Sequence, residues 1–519
     1  MNRTVLIAAI FSGLLLSTET LQAGERGAQA GKPNIVLMLA DDLGWVDPGI
    51  HGGNPDLTPN IDAFAKQSME LTQFYSHSVC SPTRAALMTG RYAFRNWFDW
   101  RSEDFGKADY LERLGMKLAH NERGEETRMI LGLPPEERTV AEALKDAGYF
   151  TALVGKWHLG EWLPEHLPMG QGFMHQYGHY GWGIDYNNYT IPHNAPARFA
   201  VYDWHRNQKP VYEQGYTTDL IANETVRLIS EQKKDRPFFI YVPFNAVHGP
   251  HEEIARYTDK YEKRDAAVKC MDDAVGRIVG AVDQFGFGDD TLVIFTNDNG
   301  GLRDEMNRPY RGTKNTTFEG GVRVPCLMRW PGVIKPGTKS DGMMHVVDVL
   351  PTLTKLAGGT LKGCLPLDGM DMTGLITRGE NSPRTEIVLE VAGSVRVPTI
   401  RSGAFKLMGD VLYNVIEDPG ETKDYAKEYP ELVKKLKARV TAVGKERPPL
   451  SKIMGEKPVL MDPPLPWVYG AAENKDVPEW LKRHVGAIRA TQPKEWAAGE
   501  TPWPKAPTGP TIKYIGDGR

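Results

Sequence analysis

A chain of 519 residues, 41% hydrophobic and 25% charged, has a globular composition large enough to bury a substantial core, which excludes disorder along most of its length. Its 62 basic residues nearly balance 66 acidic ones, and no dense basic run occurs, so nothing draws it to nucleic acid or to an anionic membrane surface. The cysteines, Cys80, Cys270, Cys326 and Cys364, are too few to staple a chain of this length, so the core must carry its stability.

In chain order, the first segment reads as an export signal. Arg3 is its charged start, residues 5–16 are its apolar stretch, and Leu21-Gln22-Ala23 suits cleavage before Gly24. No later stretch is long enough to span a bilayer. Removal of 1–23 therefore leaves a periplasmic or extracellular protein with no membrane anchor. Strands are expected at 34–40, 150–154, 238–243, 291–296 and 324–330, with helices such as 140–147 and 265–285 between them. That alternation predicts an α/β domain over 33–382, doubly wound around a mostly parallel sheet. Shorter runs at 386–391, 404–408 and 411–415, then a helix at 430–443, predict a small antiparallel sheet with a helix on it over 383–446. From 447 to 519 the chain is rich in Pro and Trp, including Pro463, Pro464, Trp467 and Trp503, and is expected to wrap over the main domain as an extended arm.

Polar residues gather just beyond the carboxyl ends of the expected strands, where open α/β sheets place their ligands. Asp41 and Asp42 follow the first strand, Lys156 and His158 the second, His248 the third, Asp298 and Asn299 the fourth. Singly, Asp-Asp reads as a helix cap and Asp-Asn-Gly as a turn. Together, three carboxylates without soft ligands repel one another unless a cation lies between them, and all-oxygen ligation favours Ca²⁺ or Mg²⁺ over zinc. In Cys80-Ser81-Pro82-Thr83-Arg84, Pro82 fits the first turn of a helix running toward Thr89. This puts Cys80 at the positive helix end beside Arg84, a good place for an anion. The plainer reading, a cysteine buried as a small apolar residue, suits its polar neighbours poorly.

Cys80-x-Pro82-x-Arg84, followed by Thr89-Gly90-Arg91, resembles the signature of the type I sulfatases of the alkaline phosphatase superfamily. Asp41-Asp42, Gly155-Lys156-Trp157-His158, His248, Asp298-Asn299-Gly300 and Lys314 within Gly312-Thr313-Lys314 stand in that family's order, over roughly 33–332, most like its arylsulfatase and N-acetylgalactosamine-sulfatase branch. The resemblance implies an alkaline-phosphatase-like α/β/α sandwich with a smaller C-terminal antiparallel domain. It implies that a separate maturation enzyme converts Cys80 to Cα-formylglycine (3-oxoalanine). One hydroxyl of the hydrated aldehyde then attacks sulfur and releases the alcohol, and loss of a proton from the other lets the hemiacetal expel sulfate. It implies further that Asp41, Asp42, Asp298 and Asn299, with the matured Cys80, hold one Ca²⁺, Mg²⁺ being the second choice. Arg84 would secure the hydrate, Lys156 and Lys314 would bind sulfate oxygens, His248 would protonate the leaving alcohol, and His158 would take the proton during collapse.

His51, His179, His251 and His345 are further candidates that nothing in the sequence fixes. Aromatic residues mixed with Asp and Asn in 92–135 (Trp97, Trp100, Arg101) and 179–189 suit sugar rings, which favours a sulfated carbohydrate over a simple aryl sulfate. Two other readings stand beside this one: a phosphonate or phosphate ester hydrolase of the same superfamily, and a sulfated-glycan-binding protein without turnover.

Overall fold

Asn34–Ala40, almost wholly apolar and buried at every position, forms the central strand β1 of a sheet covered on both faces. The computed structural model describes residues 31–96, 98, 119–120, 126–129, 132–160, 164–190, 202–392, 396–448, 460–462, 477–490 and 511–513. The expected export signal, Trp97, Trp100, Arg101 and most of the Pro- and Trp-rich arm lie outside the described residues.

The sheet has ten strands. With β1 they are β2 (Met69–Leu71), β3 (Phe150–Lys156), β4 (His175–His179), β5 (His205–Arg206), β6 (Lys209–Pro210), β7 (Phe238–Pro243), β8 (Thr291–Asn297), β9 (Cys326–Arg329) and β10 (Thr338–Ser340). Their spatial order is β10-β2-β9-β8-β1-β7-β3-β4-β5-β6. The central run β8-β1-β7-β3-β4 is parallel throughout, whereas β9 pairs antiparallel with both β8 and β2.

Side chains of β1 alternate between two helical layers, as the period of a strand requires. Ile35, Leu37 and Leu39 pack with α2 (Cys80–Thr89), α3 (Val140–Asp146) and α6 (Val349–Leu356), whereas Val36, Met38 and Ala40 pack with α1 (Pro59–Lys66), α4 (Thr217–Glu231) and α5 (Lys263–Gln284). α3 opens on a capping box in which Thr139 and Glu142 satisfy each other's backbone donors.

A second sheet, β11 (Glu386–Glu390), β12 (Thr399–Ser402), β13 (Phe405–Met408) and β14 (Val411–Asn414), is antiparallel in sequential order and carries α7 (Pro430–Gly444). Its buried Ile387, Ile400, Leu407 and Leu412 belong to the same apolar cluster as Ile35 and Leu37, so it shares the core of the main sheet. The four cysteines are unpaired. No helix among the described residues is long and apolar enough to cross a membrane.

Candidate active site

Four parallel strands end at one edge, and their backbones lock the polar residues that follow. Asp41 N–H donates to the carbonyl of Ala246 at 2.9 Å and its own carbonyl accepts from Val247 N–H at 2.6 Å, which ties the end of β1 to the segment carrying His248. Asp298 N–H donates to the carbonyl of Ala40 at 3.1 Å, and Asp42 N–H donates to Asp298 Oδ1 at 3.3 Å. Asp42 and His158 both have positive φ, 61° and 59°, in the left-handed region that disfavours residues with a Cβ. Such strain persists where the surroundings fix it and clusters at functional sites. A Cβ on Gly300 would come within 1.7 Å of the Gly320 carbonyl, so only glycine lets the turn after Asn299 lie against the loop that follows Lys314.

Cys80 is the first residue of α2, whose preceding Val79 offers no side-chain cap, so the helix end keeps donors for an anion. Thr83 Oγ1 donates to the main-chain carbonyl of Asp298 at 2.6 Å and fastens the first turn of α2 to β8. One turn on, Arg84 donates through Nη2 to Asp298 Oδ2 at 2.8 Å and Asp41 Oδ2 at 3.2 Å, and through Nη1 to the carbonyl of Lys156 at 3.0 Å. Ligand atoms of Asp41, Asp42, Cys80 and Asp298 all lie within 4.8 Å of one another, and every one of these residues is buried. Lys156 Nζ is 2.5 Å from Asp41 Oδ2, and Lys314 Nζ is 2.7 Å from Asp42 Oδ1.

Burial opposes ionisation of Asp41, but Lys156, His248 and Arg84 outweigh it and hold its carboxyl far below the usual range. Lys314 does the same for Asp42 against burial. Asp298 goes the other way: burial first, then the charge of Asp41, pushes it up to about 7. Burial also pushes the Cys80 thiol up to about 12, aided by Asp41, so the unmodified thiol is a poor nucleophile at neutral pH. Asp41 Oδ1 and Asn299 Oδ1 are buried with no hydrogen-bond partner among the described residues. An excess of oxygen acceptors around three carboxylates fits a hard cation such as Ca²⁺.

The structure brings together every residue expected at the site: Asp41, Asp42, Cys80, Arg84, Lys156, His158, His248, Asp298, Asn299 and Lys314. His248 Nε2 lies 3.8 Å from Asp42 Oδ2, and its Nδ1 contacts the Gly249 carbonyl at 2.6 Å, which requires the proton on Nδ1 in the neutral ring. Burial lowers its pKa. His158 lies well below the ordinary histidine range through burial and then Lys156, and neither ring nitrogen has a hydrogen-bond partner among the described residues. His251 Nε2 contacts the Val247 carbonyl at 2.9 Å instead.

Of the unfixed histidines, His179 adjoins the site, its strand position pairing with Lys156, and burial holds it down to about 3. His51 contacts Glu70 at 2.8 Å and stacks on Trp45, and His345 caps a turn beside His77; both are structural. Sequence reading does not single out Thr83 or Trp182. Trp182 lies edge-on to His248 with ring centroids 5.8 Å apart, and within the aromatic 179–189 run nothing marks it from its neighbours until the fold places it.

A carboxylate cluster, a helix N-terminus and a ring of cations at one sheet edge define a hydrolase that acts on an anionic ester. The family model described as Sulfatase matches residues 33–359, and the chain belongs to the sulfatase family, making it a sulfuric ester hydrolase. Human arylsulfatase A is 35% identical over 422 residues, covering 73% of this chain and 75% of that protein. N-acetylgalactosamine-6-sulfatase of Canis lupus familiaris is 33% identical over 394 residues, covering 72% and 71%. The crystal structure of Ps i-CgsB in complex with k-i-k-neocarrahexaose superposes with a TM-score of 0.68 at 28% identity, covering 81% of this chain and 94% of that one.

Proposed function

We propose that the protein removes sulfate from a sulfated carbohydrate after export, with matured Cys80 as nucleophile and Asp41, Asp42, Asp298, Asn299 and the matured residue as ligands of one Ca²⁺. The observation that carries this reading is the convergence of three buried carboxylates on Cys80 at the N-terminus of α2, like charges that need a cation between them. When present, Cα-formylglycine supplies a hydrated aldehyde as nucleophile, and Ca²⁺ supplies the charge that polarises sulfate oxygen.

The chain's own groups divide the remaining work. Arg84, fixed by three hydrogen bonds, holds the nucleophile's position and offsets charge there. Lys156 and Lys314 bind sulfate oxygens as fixed charges. The proton on Nδ1 of His248 is tied to Gly249, so Nε2 faces the site beside Asp42, and the imidazolium form, with a second proton on Nε2, is the one that delivers a proton to the departing alcohol. His158 is neutral, its ring nitrogens have no hydrogen-bond partner among the described residues, and it accepts the proton released as sulfate leaves. A carbohydrate substrate is supported by the half-buried Trp182 beside His248 and by the sugars in the names of the canine relative and of the Ps i-CgsB complex. The partner in maturation is a formylglycine-generating or equivalent enzyme.

Release of inorganic sulfate from sulfated galactosaminides, carrageenan oligosaccharides and an aryl sulfate, measured side by side by ion chromatography, tests the substrate class. The expected result is a higher kcat/KM on at least one glycan. Turnover of the aryl sulfate alone contradicts a carbohydrate substrate, and faster turnover of a phosphate ester would favour phosphorus chemistry.

A further inference from the structure

The loop that carries Lys314 is held from behind by the second sheet. Lys314 N–H donates to the Gly301 carbonyl at 3.0 Å and Asn315 N–H donates to the Ser78 carbonyl at 2.8 Å, so the front of the loop bridges the turns around Asn299 and Cys80. Its rear, from Thr317 to the short helix Glu319–Val322, rests on fully buried polar groups. Lys406 of β13 donates to the Thr317 carbonyl at 2.9 Å and lies 3.0 Å from Glu319 Oε1 and 2.5 Å from Glu421 Oε1. Glu421 Oε2 accepts from Glu319 N–H at 2.6 Å, and Thr317 Oγ1 is 2.8 Å from Thr399 Oγ1 of β12.

None of Lys406, Glu319 and Glu421 is exposed at all. Glu421 takes a left-handed φ of 51°, a conformation that a residue with a Cβ adopts only where its surroundings hold it. Core stability alone does not call for such a cluster, because apolar side chains of like volume fill a sheet interface as well or better. What the charges add is directional: Lys406 grips one particular carbonyl, three residues from the ammonium that faces the reaction centre.

We infer that Lys406 is a positioning residue for Lys314, and that the C-terminal sheet thereby sets the geometry of the sulfate site. This rests on the reading of Lys314 as a sulfate-binding group. Lys406 touches neither substrate nor reacting atoms; it acts through the loop. Misplacing a catalytic group by an ångström can cost on the order of 100-fold in rate, so a modest shift of the loop is enough to register.

The test is a double-mutant cycle on the matured, full-length enzyme, with kcat/KM for sulfate release measured well below the unfolding temperature of each variant. Lys406→Met in the wild-type background is expected to lower kcat/KM roughly 10- to 100-fold. In the Lys314→Ala background the same change is expected to cost less than about twofold, because the group it positions is gone. Thr399→Val, which leaves the buried charges intact, is expected to cost roughly fivefold with the same collapse, and it decides the matter if Lys406→Met does not fold. An equal loss in both backgrounds, or wild-type kcat/KM in a folded Lys406→Met protein, overturns the inference. Unchanged activity of Lys314→Ala would instead remove the reading of Lys314, and this inference with it.

Discussion

Arg84 Nη2 lies 2.8 Å from Asp298 Oδ2, with the arginine side chain 1% exposed and the aspartate 0%. The same guanidinium reaches Asp41 and the backbone of Lys156, so three strand ends meet on one planar fork. A lysine cannot reproduce that fork, since its ammonium is a single point charge on a flexible stem. Arg84→Lys is therefore expected to lower kcat/KM by roughly 100-fold or more, and to destabilise the fold by about 3 kcal/mol through the unpaired carboxylates. Steady-state kinetics and denaturant unfolding check both; retention of activity within about threefold would contradict the role given to Arg84.

Calcium should stabilise the fold, because the carboxylates of Asp41, Asp42 and Asp298 converge only in the native state. At a free concentration 100 times Kd the expected gain is about 2.7 kcal/mol, seen as a rise in Tm and reversed by a chelator. Asp298→Asn should abolish most of that calcium-dependent shift. A Tm indifferent to calcium and chelator alike would contradict the assignment of the ion.

His77 and His345 give the fold a pH dependence away from the proposed cation ligands. Their rings meet at 5.2 Å in the core, and burial holds His77 down to about 3 and His345 well below its ordinary range. Both are neutral when folded and take up a proton when unfolded below about pH 6.5, so the unfolded state binds more protons and stability falls as pH falls from about 6.5 toward 3. At pH 5 this is about 2 kcal/mol for His77. His77→Gln is expected to reduce the slope of unfolding free energy between pH 6 and 4 by about 1.4 kcal/mol per pH unit, read from urea titrations. An unchanged slope would show that His77 is not the titrating group.

Much of this was legible in the sequence, for physical reasons. The strands at 34–40 and 238–243 were expected at their observed bounds because a strand covered on both faces must be a continuous apolar run, bounded here by Pro33 and by Asp41. The helix from Cys80 to Thr89 was readable from Pro82, which fits its first turn, and the structure ends it on Gly90 in the left-handed conformation. Strands such as His205–Arg206, Lys209–Pro210 and Thr338–Ser340 were not, since runs of two or three residues at or next to a sheet edge are too short to carry a period-two pattern. Thr399–Ser402 was missed as well: its Thr-Ile-Arg-Ser sequence looks polar, and Arg401 is buried only because Tyr75 and Gln73 of the main domain receive it. Site residues on strand ends could be placed by topology, whereas the grip of Lys406 on Thr317 is a contact between segments 89 residues apart that no local pattern encodes.

Trp182 should matter more for a sugar than for a flat activated ester. Its ring meets His248 edge-on, which suits a platform for the ring that bears the sulfate. Trp182→Ala is expected to lower kcat/KM on a glycan substrate by roughly 10-fold more than on an aryl sulfate, the cost of about 1.4 kcal/mol of lost contact. Equal losses on the two substrates would assign Trp182 to the support of His248 instead.

The most direct test of the account is the mass of the tryptic peptide containing Cys80, from protein exported by a host with a maturation enzyme. Conversion of the thiol to an aldehyde is expected to lower that mass by roughly 18 units, with sulfate release scaling with the converted fraction. An unmodified thiol in protein that nonetheless releases sulfate, or in a preparation where a control sulfatase is fully converted, would contradict it.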